Sequence, residues 1–301
     1  MTLSLTTVGS KVDAFTTTFA GWTKEYSGSL VPAISSGKLN FSNAGAYDSI
    51  YSFDAAGASL GDCMVTMDLS GYAANNGTQG YGARIVLRTG GTNGIVGYNF
   101  LYASGSGVPS VAIYDKTSGS DVQVGSSVTV SAGATSMGAK VTGTGTGTRL
   151  TMYLNGSPIT GLTDVMPGSH LNGTGKAAFY LHHVYTSGTQ TDHQIDNYTV
   201  LSRANILVTS LPAGYYVRLT DGTHVDNAAA SAGTATITPT NCTGFGPWTL
   251  RVYNGDPTGA GTQQGADQTG VYGGDSWAGS GFATATTPLQ LLRTHFIPAF
   301  L

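Results

Sequence analysis

The stretch Thr148–Ile159, TRLTMYLNGSPI, narrows the possible folds more than any other part of the chain. Leu150, Met152 and Leu154 alternate with Arg149, Thr151 and Tyr153. A period of two marks a strand with one buried face. The strand runs into Asn155-Gly156, a pair that readily holds both central residues of a tight turn at positive φ. Pro158 and Ile159 then open the next strand. The hairpin is expected to form the middle of a β-sandwich running from about Val12 to Leu201.

Other segments share the pattern. In order they are Ala14–Trp22, Lys38–Phe41, Ala46–Phe53, Cys63–Leu69, Tyr81–Arg88, Gly97–Ala103, Ser110–Asp115, Val122–Val130, Met137–Thr142, Ala177–Tyr185 and Gln194–Leu201. Turns rich in Gly, Ser and Asn separate them at fairly regular spacing, the rhythm of an antiparallel sandwich. More than ten short strands suit a jelly roll better than an immunoglobulin domain. No capped segment shows the i, i+3, i+4, i+7 apolar pattern of a helix.

Composition excludes some classes of function. Charged residues make up 10% of the 301, the formal net charge is -3, and no Lys/Arg run occurs, which argues against a nucleic-acid partner. No segment reaches the ~20 apolar residues of a membrane span. The N-terminal MTLSLTTVGSKVDAF has neither a charged n-region nor a continuous apolar core, so no Sec signal is visible. Abundant Gly, Thr, Ser, Asn and Tyr with little Lys and Glu fit an extracellular or virion surface. Cys63 and Cys242 fall in different expected domains and read as buried free thiols.

The segments DAFTTTFAGW, SSGKLNF, GYGARIVLR, GYNFLYA, RLTMYLNGSPI and QIDNYTVL occur in the order seen in concanavalin A-like jelly rolls. The chain resembles that family over residues 12–202, which leaves 1–11 as an N-terminal segment. The fold hosts lectins, glycanases, adhesion modules and virion proteins, so the resemblance implies architecture and leaves activity open. It also implies a structural calcium near the first and last strands, at Asp13 and Asp196. Capping and solvent-facing roles are the alternative for both; no other cofactor is expected.

The texture changes after Arg203. Residues 203–256 read as a small β-sandwich, similar to the LPAGY…RLTDG…GTATI…W.LRVYNGD modules of phage tail and surface proteins. Residues 257–301 are a glycine-rich segment, with a short edge strand around Val271–Trp277, and then an apolar tail, PLQLLRTHFIPAFL. Leu289, Leu292, Phe296, Ile297 and Phe300 in that tail are candidate assembly residues. Each apolar side chain gains roughly 1.5–3 kcal/mol on full burial, against the chain's own domain or a neighbouring subunit.

The residues offer little for catalysis. A retaining glycanase needs two carboxylates about 5 Å apart. Glu25, in the loop-like WTKEYSG, is the sole glutamate, and Asp68, Asp115 and Asp164 stand apart. His182, His183, Asp192 and His193 are the densest reactive cluster, but neighbouring strand residues point to opposite faces. They read as either a binding rim or ordinary packing. Tyr98, Tyr102, Tyr114, Tyr180 and Tyr185 are spaced so that some face solvent. Tyr102, His183, Tyr185 and Asp192 are the candidate sugar contacts. The reading is a non-enzymatic, oligomeric phage virion-surface protein, a head decoration, fibre or receptor-binding component, located on the virion and touching other virion proteins and host glycans. A bacterial carbohydrate-binding module or adhesin is the alternative, and a polysaccharide-degrading enzyme comes third.

Overall fold

The structure is a computed structural model describing residues 1–7, 11–13, 15, 21–26, 33–41, 47–53, 60–71, 79–90, 96–103, 108–116, 120–168, 174–185 and 193–282. The strands are β1 (Thr2–Thr7), β2 (Lys11–Asp13), β3 (Trp22–Tyr26), β4 (Ala33–Ser35), β5 (Lys38–Phe41), β6 (Tyr47–Phe53), β7 (Cys63–Ser70) and β8 (Gln79–Gly90). Next come β9 (Val96–Ala103), β10 (Ser110–Lys116), β11 (Val122–Thr129), β12 (Ser136–Thr142), β13 (Arg149–Leu154), β14 (Ser157–Pro158), β15 (Lys176–Tyr185) and β16 (His193–Ser202). The last seven are β17 (Ile206–Thr209), β18 (Tyr216–Thr220), β19 (Val225–Ala229), β20 (Thr234–Ile237), β21 (Trp248–Tyr253), β22 (Gln268–Val271) and β23 (Ser276–Ser280). Among the described residues there is no α-helix.

The fold is all-β, a large jelly-roll sandwich with a second, smaller sandwich. The large one pairs a seven-stranded sheet, β11-β10-β9-β8-β15-β6-β3, with an eight-stranded one, β14-β13-β12-β7-β16-β5-β4 plus β2 on β16. The inward residues of both sheets form one core. Cys63, Val65, Met67 and Leu69 of β7 meet it from one side, and Ile85, Leu87, Phe100 and Phe179 from the other. An aromatic cluster ties the two sheets together. The Trp22 ring lies 4.7 Å from those of Phe53 and Phe179 and 4.9 Å from that of Tyr198. Each such ring pair adds about 0.5–1.5 kcal/mol beyond area burial.

The Asn155-Gly156 hairpin forms as its residues dictate, with φ of 49° and 77° at the two turn positions. Asn155 Oδ1 also accepts hydrogen bonds from the amides of Thr135 (2.8 Å) and Ser136 (3.3 Å). Its position differs from expectation. It borders the eight-stranded sheet instead of occupying the middle, because β14 is two residues long and has β13 as its strand partner. Glu25 belongs to strand β3 and not to a loop. The Gly-Thr repeat at 143–148 forms a short 3-10 turn, held by the Gly143 amide donating to Asp62 Oδ1 (2.9 Å) and by Arg88 Nη2 donating to the Gly143 carbonyl (2.7 Å).

The small sandwich is larger than its expected 203–256 bounds. Its sheets are β1-β23-β17-β20 and β19-β18-β21-β22. β1 belongs to the N-terminal segment that was expected to stand apart. It pairs antiparallel with β23, from Thr2↔Ser280 to Leu5↔Trp277. The glycine-rich stretch supplies both β22 and β23, and β23 lies inside its sheet, parallel to β17. The jelly roll is therefore inserted between the first and second strands of the small sandwich. Trp248, Leu250, Val252, Val208 and Trp277 fill the small core, with Leu3 of β1 packed against it. Residues 283–301, which include the expected assembly tail Pro288–Leu301, lie outside the described residues.

Cys63 and Cys242 are free and buried, and burial pushes both thiols up to about 12. Asp221 ties together one end of the small sandwich. Its carboxylate accepts from the amides of His224 (2.6 Å), Thr243 (2.7 Å) and Thr223 (2.9 Å), and from the Thr243 hydroxyl (2.7 Å). The His224 amide, then the Thr243 amide and hydroxyl, hold this carboxyl far below the ordinary carboxylate range. A folded pKa below the unfolded value stabilises above the unfolded pKa, and the contribution is lost as pH falls through the folded one. We expect the small sandwich to lose thermal stability progressively as pH drops below about 4. Asp221→Asn should lower the melting temperature at neutral pH and flatten that acid limb, as followed by differential scanning calorimetry.

Candidate functional site

Alternation along β8 sends Ala83, Ile85 and Leu87 into the jelly-roll core, and Arg84 and Val86 to the other face of the sheet. Cross-strand pairing assembles a patch around Arg84 on that outer face. Tyr180 of β15 is its direct neighbour, Ala178 is opposite Val86, and Ile50 of β6 is opposite Tyr180. On the other side Asn99 of β9 is opposite Val86, and Tyr114 of β10 is opposite Asn99. Ile50, Val86, Ala178 and Tyr180 form a small buried apolar cluster separate from the main core.

The Arg84 guanidinium rests on two rings, 4.8 Å from the centroid of Tyr180 and 5.5 Å from that of Tyr114. Each contact contributes about 0.5–2 kcal/mol, more as the cation is desolvated. Its Nη1 donates to Asp121 Oδ2 at 2.9 Å, and Lys116 Nζ lies 3.5 Å from Asp121 Oδ1. Burial pushes the Asp121 carboxyl up, but the Arg84 hydrogen bond and the charges of Arg84 and Lys116 outweigh this and keep it below the ordinary carboxylate range. The Arg84 side chain is 11% exposed, and its buried Nε has no hydrogen-bond partner among the described residues. The result is a planar, pre-oriented donor between two aromatic rings, beside a fixed ion network. Such an arrangement can bind a hydroxyl- or oxygen-rich ligand lying across strands. Among the described residues it brings no pair of carboxylates together.

The structure describes the side chains of only some of the expected site residues. Tyr102 is corrected from a sugar contact to a core residue: it is 0% exposed and packs in the main cluster, so no ligand can reach its ring. Tyr98 is likewise buried in the core. His183 pairs through its backbone with Tyr81 and Tyr47, and Tyr185 pairs with Gln79. Their side chains, and all of Asp192, lie outside the described residues. Of the two residues expected to share calcium, Asp13 is described only through its strand pairing, its side chain lying outside the described residues. Asp13 is opposite Tyr198, whereas Asp196 is opposite Asp68, which accepts from Asn197 Nδ2 at 2.8 Å. No group of three His, Cys, Asp or Glu side chains is spaced for a metal among the described residues. Leu289, Leu292, Phe296, Ile297 and Phe300 also lie outside them. Arg84, Lys116 and Asp121 were not anticipated, although a charged Arg84 between Ala83 and the apolar run Ile85-Val86-Leu87 was a visible signal.

No protein-family model and no curated sequence matches the chain. Solved structures of similar fold include the carbohydrate binding module CBM66 from Bacillus subtilis, 14% identical, with a TM-score of 0.41 over 60% of this chain and 94% of that one. The Emp47p carbohydrate recognition domain is 11% identical, with a TM-score of 0.44 over 66% and 96%. The alginate lyase Aly36B is 15% identical, with a TM-score of 0.38 over 64% and 96%. Likeness at this level concerns the arrangement of strands and says nothing of what this chain binds.

Proposed function

We propose that the chain is a non-catalytic, surface-displayed β-sandwich protein that binds glycan chains across the outer face of its seven-stranded sheet. The observation that carries this reading is the Arg84 guanidinium held against the Tyr114 and Tyr180 rings on that face. Guanidinium N–H groups donate to sugar hydroxyls, and aromatic faces accept the C–H side of a pyranose ring. Glycan arrays followed by calorimetry on the intact chain test the idea. Arg84→Ala is expected to weaken the best ligand about tenfold to a hundredfold, the range for a charge-assisted hydrogen bond, with circular dichroism unchanged. No glycan bound by the intact chain, or equal binding by Arg84→Ala and Tyr114→Ala, would contradict it.

A second reading, a phage virion-surface protein working as a closed oligomer on other virion proteins, is favoured by the apolar sequence Pro288–Leu301. Exposed Met1 and Leu5 on the small sandwich support it too, at 51% and 45%. On this reading the jelly roll presents its glycan-binding face outward, and the small sandwich with the tail makes the assembly contact. Solution mass of the full chain beside one ending at Thr287 tests the tail. We expect a closed oligomer for the first and a monomer for the second; two monomers would remove the assembly reading.

A further inference from the structure

Where the two sandwiches meet there is a cleft of about 430 Å³, within the usual range of small-molecule sites, about 300–1,000 Å³. One wall is Leu60–Asp62, ahead of β7. The opposite wall is Pro239 and Thr240, after β20, and Ser202, Arg203 and Ala204 form the floor. The floor is fixed in place. The Arg203 amide donates to the Asp62 carbonyl at 3.3 Å, and the Gly274 amide donates to the Ala204 carbonyl at 3.2 Å. A Cβ on Gly273 would fall 2.1 Å from the Ser202 carbonyl oxygen, so only glycine lets the two backbones approach this closely.

The polar groups here form an incomplete set. Arg203 donates through Nε to the Pro239 carbonyl (3.1 Å) and through Nη2 to those of Thr240 (3.1 Å) and Cys242 (2.6 Å). Carbonyl dipoles orient the guanidinium without cancelling its charge. Arg203 forms no ion pair among the described residues, and its Nη1 is uncommitted there. Across from it, Asp62 receives both the Gly143 amide and Arg88 Nη2 on a single oxygen, Oδ1. Its side chain is 30% exposed, with Oδ2 left as an acceptor, while Arg88 behind it is 1% exposed. Arg88, behind the lining, pairs with Asp62, so the charge of Arg203 is left uncompensated among the described residues. Leu60 and Pro239 add apolar surface beside the hydroxyls of Ser202 and Thr240.

We propose that this cleft is a second binding site, for a hydroxyl-rich monocarboxylate the size of one uronic acid residue. The ligand carboxylate takes Arg203 Nη1 and balances the uncompensated charge. Ring hydroxyls donate to Asp62 Oδ2 and exchange hydrogen bonds with Ser202, and the C–H face of the ring lies on Leu60 and Pro239. The site is independent of the sheet face around Arg84.

The test uses the full chain, with D-glucuronate as probe and D-glucose and glycine as controls, followed by amide chemical shifts and calorimetry. Expected are saturable glucuronate binding with shift changes at Ser202, Ala204 and Thr240, and at least tenfold weaker binding of either control. Ala204→Trp, which fills the cleft without removing a named hydrogen-bonding side chain, should weaken glucuronate at least tenfold and abolish the shift changes at Ser202 and Thr240. The shift map stands without any variant if Ala204→Trp does not fold. Absence of saturable binding, shifts confined to the outer sheet face, or equal affinity for glucose or glycine would overturn the proposal.

Discussion

The pairing of β1 with β23 is the constraint on which the rest of the architecture rests. It brings Thr2 against Ser280 and so returns the beginning of the chain to its far end. The jelly roll between them is then tied to the small sandwich at two places, ahead of β2 and through Arg203–Asn205. A single linker would permit free rotation; two connections restrict it, and the Arg203 clamp and the Gly273 approach restrict it further. A preformed cleft at the junction is a direct consequence. β1 also completes a sheet whose other members, β23, β17 and β20, are only four or five residues long. Short strands of that kind need several partners and a shared apolar face to be stable.

The jelly roll separates its two tasks by the parity of its strands. One parity of the seven-stranded sheet builds the core shared with the eight-stranded sheet. The other carries Arg84, Tyr114 and Tyr180 outward. Because neighbouring strands keep register, residues far apart in sequence reach one patch without any loop to position them. A site on paired strands is held more rigidly than one on loops, and pre-organisation of this kind lowers the entropic cost of binding.

Much of the fold was legible because half-buried strands write their burial into the sequence. β7 is the clearest case: its burial alternates residue by residue, as Cys63, Val65, Met67 and Leu69 require. The positive φ values at Asn155 and Gly156 follow equally directly from residue type. The failures have physical causes. β23, SWAGS, has one large side chain, and its stability comes from backbone pairing on both sides, which composition does not reveal. β1 reads only as part of an N-terminal segment, because its partner lies near the far end of the chain, from Thr2↔Ser280 to Leu5↔Trp277, and no local pattern encodes so distant a contact. Tyr102 was misplaced because β9 carries large residues on both parities. Leu101 faces out and Tyr98, Phe100 and Tyr102 face in, and only the cross-strand register decides between the faces. The patch around Arg84 needed that same register to bring Tyr180 and Tyr114 together.

Hydrogen exchange on the full chain beside one beginning at Val8 tests the insertion architecture most directly. Without β1, amides of β23 and β17 should lose protection and the small sandwich should melt at lower temperature, while β7 and β16 in the jelly roll keep theirs. Unchanged protection in β23 and β17 would show that β1 is not part of that sheet, and would contradict the account of a jelly roll inserted into the small sandwich.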